Sequence, residues 1–203
     1  VVALVASLTV AASAQAANET VEGTTNISAR KGPLYQAKPV PVNLTIRAEV
    51  TTPPASPTVN PLKNTTTVFP QGVSFNPNNR KTPVCTDKML SVTSNLSDAE
   101  GVVNACKKSV VGTGTSAIFL AKINKPNTLI EDPILIAFNA GKTNNGQAKI
   151  KIYGYSKFTY VGILMDGTLR GQVLDIAVPV LSNDSAVKYF ELNFPGGRLV
   201  RED

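Results

Sequence analysis

From Val42 to Val50 apolar and polar residues alternate without a break, Val42, Leu44, Ile46, Ala48 and Val50 against Asn43, Thr45, Arg47 and Glu49. A period of two sends one set to each face of an extended chain, so this stretch predicts a half-buried β-strand. The second half of the chain reads the same way. Asn145-Gly146 separates the apolar runs 133–141 and 148–155, and Asp166-Gly167 separates 158–165 from 168–178. Both dipeptides supply the positive φ that tight hairpins need. Tyr155-Ser156-Lys157 is expected to join the two middle strands, and 187–194 to form a last strand. The pattern predicts an antiparallel meander of about five strands, hence an all-β fold: an antiparallel β-sandwich or a partly closed barrel.

At 203 residues the chain has room for one ordinary domain plus appendages. It opens inside an apolar run that ends in Ala14-Gln15-Ala16, a match to the small-x-small cleavage rule. Residues 1–16 therefore read as a secretory signal remnant, with a retained membrane anchor as the alternative. Residues 17–38 are polar and without period, and are expected to be a flexible lead-in. Residues 39–203 then form a single β domain. Its prolines place 51–64 in a loop. Val68, Phe69, Val73 and Phe75 mark one or two short strands around Pro70.

Export changes how the two cysteines are taken. With only Cys85 and Cys106 present, an oxidising compartment predicts one structural disulfide between them. The segment before Cys106 carries Ser97-x-x-Glu100, a capping-box spacing that predicts one short helix near 98–108. The chain has no His, which removes Ser-His-Asp and Cys-His catalysis together and leaves any zinc site short of ligands. Carboxylate and Ser-Lys chemistry survive that test. Net charge is +6, a balance compatible with anionic partners outside the cell and equally with plain solubility.

Gly112-x-Gly114-x-x-Ala117 matches a dinucleotide fingerprint, with Glu131 and Asp132 near the distance of a ribose-binding acid. The match lacks its context. Such a loop needs a buried parallel strand before it and a useful helix after it, whereas Thr115, Ile118, Phe119 and Ile123 favour extended chain and Pro126 soon follows. The glycines are expected to mark a bulge, a bend or a tight packing position in a strand. In its wider setting, Pro83-x-Cys85, a spacer, Cys106, then Val111-Gly112-x-Gly114 and a strand ending Phe138-Asn139, the chain resembles a group of uncharacterised exported proteins of actinobacterial type. The likeness spans roughly 39–194, with Ala140 where the pattern has glycine. It implies export and β-rich architecture, and no activity. Proteins of this pattern continue further, so a missing C-terminal strand supplied by a partner is one idea to test.

Few residues suggest a site. If Ile150 and Ile152 point inward, Lys149, Lys151, Tyr153 and Tyr155 share the outer face, a cationic and aromatic stripe able to hold an anionic polymer or glycan. Glu131-Asp132 is expected to be a solvated loop, and Asp166 a turn former. The six N-x-S/T sequons, at Asn18, Asn26, Asn43, Asn64, Asn95 and Asn183, are expected by chance in so Asn-, Ser- and Thr-rich a chain. The expectation is a secreted or cell-envelope, non-catalytic binding or structural module. It has no catalytic residue, cofactor or metal, and no membrane span after signal removal. Its partner is an anionic cell-surface polymer or another envelope protein, and not nucleic acid. A secreted carboxylate-dependent hydrolase acting on glycans and a subunit of a surface assembly are the alternatives.

Overall fold

The computed structural model describes residues 6–8, 20–34, 40–51, 61–73, 75, 78–91, 95–120, 128–180 and 185–196. The cleavage motif at 14–16, most of the proline-rich loop and the chain after 196 lie outside them. The strands are β1 (Ala6–Leu8), β2 (Thr20–Ala29), β3 (Val42–Thr51), β4 (Asn64–Val68), β5 (Val110–Leu120), β6 (Thr128–Ile130), β7 (Ile134–Lys142), β8 (Ala148–Ser156), β9 (Val161–Arg170), β10 (Val173–Ala177) and β11 (Ser185–Phe194). Helices α1 (Asp87–Ser91) and α2 (Ala99–Ala105) and a 3-10 turn, Lys107–Ser109, fall between β4 and β5.

All pairings are antiparallel, and one sheet runs in the order β1-β2-β3-β11-β5-β7-β8-β9-β10-β4, with β6 beside β7 on β5. The fold is all-β with one disulfide, as expected. Of the two architectures the sequence allowed, the partly closed barrel forms: a single sheet curls on itself. The curl carries β4 across from β2 and β3, leaving between them a gap of about 110 Å³.

The curled sheet is buried on both faces along its middle. Inside, Leu44 and Ile46 of β3 meet Leu135 (β7), Ile152 (β8), Met165 (β9) and Leu192 (β11). Outside, Phe138 and Tyr153 lie under Cys85, Leu90, Val102 and Cys106. Burial on both faces explains why β7 reads as a nearly continuous apolar run where β3 alternates. Cys85 and Cys106 form the disulfide with Cα atoms 5.4 Å apart, so it staples the helical layer to the convex side.

Several expectations are corrected. The polar lead-in contains β2, ten residues paired along β3 from Thr20↔Thr51 to Ala29↔Val42. Its inward positions are Gly23, the buried Thr25 and Ile27, so small and hydroxylic residues hide the period of two. Ala6–Leu8, within the expected signal, pairs with Gly23–Thr25, where β2 offers an open edge. Among the described residues there are two α-helices, not one. α1 is five residues, too short to show a period, and α2 is capped by Asp98, whose carboxylate accepts from the Gly101 amide at 3.0 Å, rather than by Ser97.

Asn145-Gly146 does turn the β7–β8 hairpin, with Gly146 at φ 80°. Asp166-Gly167 does not turn. Both lie inside β9, paired to Lys151 and Ile150 of β8, and the hairpin to β10 closes at Gly171-Gln172, with Gly171 at φ 61°. The β8–β9 turn comprises 157–160 rather than Tyr155–Lys157, because Ser156 pairs with Val161. Finally, β11 is paired on both sides, to β5 and to β3, so a strand donated there by a partner has no place.

Candidate functional site

The stripe Lys149, Lys151, Tyr153 and Tyr155 does share the outer face of β8, opposite Ile150 and Ile152, but it is not a free surface. Lys151 is 5% exposed and Tyr153 fully buried, because α1, α2 and their disulfide cover them. Lys149 and Tyr155 stay half-buried. Lys151 Nζ lies 2.6 Å from Asp166 Oδ1, its cross-strand neighbour, and 2.7 Å from Asp87 Oδ1 at the start of α1. Thus Asp166 is an ion-pair partner and no turn former, and Lys151 ties a helix to the sheet. The polymer-binding stripe therefore loses two of its four residues to structural work.

Burial by itself would push the Lys151 ammonium down, but its hydrogen bonds to Asp166 and Asp87 outweigh that and raise its pKa. The Tyr153 hydroxyl donates to the Leu96 carbonyl, and burial, with Tyr155 and Asp98 nearby, pushes its phenol up to about 12. A raised folded pKa stabilises fully below the unfolded value and is lost as pH climbs through the folded one. Both groups have unfolded values of about 10. Resistance to urea is therefore expected to hold steady at neutral pH and to fall from about pH 10 upward. Tyr153→Phe should flatten part of that fall. An unaltered slope in the variant would contradict the burial of this phenol.

The residues behind the family-like pattern are also structural. Asn139, 2% exposed, donates from Nδ2 to the Thr82 carbonyl at 2.7 Å and to Asn79 Oδ1 at 3.1 Å, while its Oδ1 accepts from the Gly141 amide. Its carbonyl receives the Cys85 amide at 2.8 Å. Asn139 thus latches the strand end to the segment carrying the first cysteine. Gly112 and Gly114 lie within β5, beside a register shift against β7 and tight against β11, so they are the packing positions and bulge expected of them.

Sequence reasoning missed one feature entirely. Inside one end of the half-barrel is a cavity of about 400 Å³. It exists because the inward positions there are small: Ser116 on β5, Gly154 and Ser156 on β8, and Ser185 on β11. Leu135, Ile152, Met165 and Leu192 form its floor. The exposed lining residues, Val161, Pro179 and Val180, mark its mouth. No Asp, Glu, Lys or Arg lines it among the described residues. The buried hydroxyl oxygens of Thr65 and Thr159, both lining residues, have no hydrogen-bond partner among the described residues. Small and hydroxylic residues at alternate strand positions were the available signal, but only the curl shows that they face one another.

One side of the mouth is the 157–160 turn, and Asp132 builds it. This carboxylate accepts from the Ser156 hydroxyl and the Phe158 amide, each at 2.7 Å, and Ser156 Oγ accepts from the Thr159 amide at 3.1 Å. Burial works to raise the Asp132 pKa, but these donors prevail and hold it below the usual carboxylate value. Asp132 is therefore an anchor, where a solvated loop residue was expected. Tyr160 takes φ 56°, in the left-handed region that side chains other than glycine seldom occupy.

No protein-family model, no curated protein and no solved structure matches the chain. Among the described residues no helix is long and apolar enough to cross a membrane, and no three His, Cys, Asp or Glu are grouped to hold a metal ion.

Proposed function

We propose that this protein is a non-catalytic binding module that takes a small, uncharged, apolar molecule into the half-barrel, and that it works outside the cytosol. The observation that carries the reading is the charge-free cavity of about 400 Å³, opening at Val161, Pro179 and Val180. Its size falls in the range of roughly 300–1,000 Å³ usual for small-molecule sites. Thr65 and Thr159 supply two neutral hydroxyls without a partner among the described residues in a wall that carries no charge, enough to orient one hydroxyl or ester. The disulfide supports an oxidising compartment.

The geometry gives the hydrolase reading little support. Glycoside hydrolysis needs two carboxylates converging on one substrate, and Asp132 and Asp166 are each engaged in holding the fold. The assembly reading called for a long apolar edge strand or an exposed apolar patch, and the exposed rings of Phe158 and Tyr160 answer only to the second. The edge strand β4 has five residues, Asn64-Thr65-Thr66-Thr67-Val68, and only the last is apolar.

The test is uptake of N-phenyl-1-naphthylamine, whose fluorescence rises in apolar surroundings. The wild-type protein is expected to bind it. Ile163→Trp, which enlarges a side chain that faces the cavity beside Gly154, should weaken uptake about tenfold or more while thermal unfolding is maintained. Decanol should displace the probe better than decanoate, because a carboxylate buried without a partner is costly. A wild-type protein that leaves the probe dark, or an Ile163→Trp variant that binds it equally well, would remove the reading.

A further inference from the structure

The 157–160 turn presents two aromatic rings to solvent, Phe158 at 72% and Tyr160 at 68% exposure, the most exposed large apolar side chains among the described residues. These rings are not on a loose loop. Asp132 and Ser156 fix the turn backbone through the hydrogen bonds already given, and Tyr160 is held at positive φ. A turn that keeps a non-glycine residue in that region stores strain that the surrounding contacts must hold in place. Here the result is two rings aimed outward.

Their position is specific. Thr159, between the rings, lines the cavity with one of its unpartnered hydroxyls, and Val161, directly after Tyr160, lines the mouth with Pro179 and Val180. The two rings therefore stand beside the mouth, each next in sequence to a residue that lines the cavity. Exposed Lys157 begins the same turn, on a chain of net charge +6. An apolar ring, an amphipathic phenol and a lysine suit the headgroup level of a bilayer, where the rings sink and the ammonium meets anionic phosphate.

We propose that the 157–160 turn docks the mouth of the cavity onto a bilayer bearing anionic headgroups, so that the apolar ligand passes between lipid and protein without crossing water. The proposal rests on the ligand reading above, because a molecule that fits a charge-free cavity partitions into membranes. The occupant is the lipid surface itself. A second protein carrying an apolar patch is the competing outcome.

The chain contains no Trp, so a single introduced indole reports its own surroundings. Phe158→Trp and Tyr160→Trp are expected to shift their emission to the blue on mixed phosphatidylcholine–phosphatidylglycerol vesicles and to be quenched by brominated acyl chains. Val68→Trp, exposed on β4, should do neither. Phe158→Ser/Tyr160→Ser should sediment with vesicles about tenfold less than wild type, with its uptake of N-phenyl-1-naphthylamine in plain buffer intact. Emission at 158 and 160 that ignores vesicles, or undiminished sedimentation of the double variant, would overturn the docking. Failure of probe uptake by the wild type without vesicles instead removes the ligand reading, so the two failures are told apart.

Discussion

Gly114→Ala is expected to cost on the order of 4 kcal/mol or more, leaving a chain that no longer shows a cooperative urea transition. A methyl group at this position would fall inside the van der Waals sphere of the Glu191 carbonyl oxygen, and 3.1 Å from the Leu192 Cα. These are backbone atoms of β11, which is held by β3 on its far side, so neither strand can yield without breaking a ladder. Gly171→Ala provides the comparison. Gly171 sits at φ 61° with open space around it, and the substitution there should cost only about 1–2 kcal/mol of backbone strain. Equal urea midpoints for the two variants would mean that β5 and β11 do not approach this closely.

The second large effect belongs to the disulfide. Cys85→Ala/Cys106→Ala is expected to lose about 3 kcal/mol in the chain-entropy account of a loop this size, the sequence separation being 21. The loss should be uneven. The bridge sits among Leu90, Val102, Phe138 and Tyr153 on the convex side of the sheet, and the cavity opens on its concave side. Hydrogen exchange should show amides of 87–106 losing protection first, while β8 to β10 keep theirs and probe uptake persists. Protection lost evenly over the whole sheet would show instead that the helical layer and the half-barrel are one cooperative unit.

Strand content was legible wherever a single face is buried. The alternation in β3 survives unchanged, with Leu44 and Ile46 inward. It fails for β2 because Gly23 and Thr25 occupy inward positions, and composition alone reads those residues as polar coil. Turn chemistry was half reliable for a physical reason. Asn145-Gly146 is a turn because nothing opposes it, whereas Asp166 is drawn into β9 by Lys151, and Gly167 by the close packing of Ile150. Facing was read correctly for Lys149, Lys151, Tyr153 and Tyr155, but exposure was not. Whether an outer face meets water depends on a five-residue helix that carries no periodic signal. The cavity was illegible for a related reason, since its walls come from strands distant in sequence and only the register of the curled sheet sets their small residues opposite one another.

The position of β11 has a consequence for timing. It is the last described strand, yet it joins β3 to β5. As the chain leaves a ribosome, or threads a narrow channel, β2 and β3 are already made but have nothing to dock against. Contacts this remote along the chain are slow to form. Closing the sheet between β3 and β5 must therefore wait until β11 has been made, whereas β5, β7, β8, β9 and β10 can pair with one another before that. The two parts of the sheet thus set at different times.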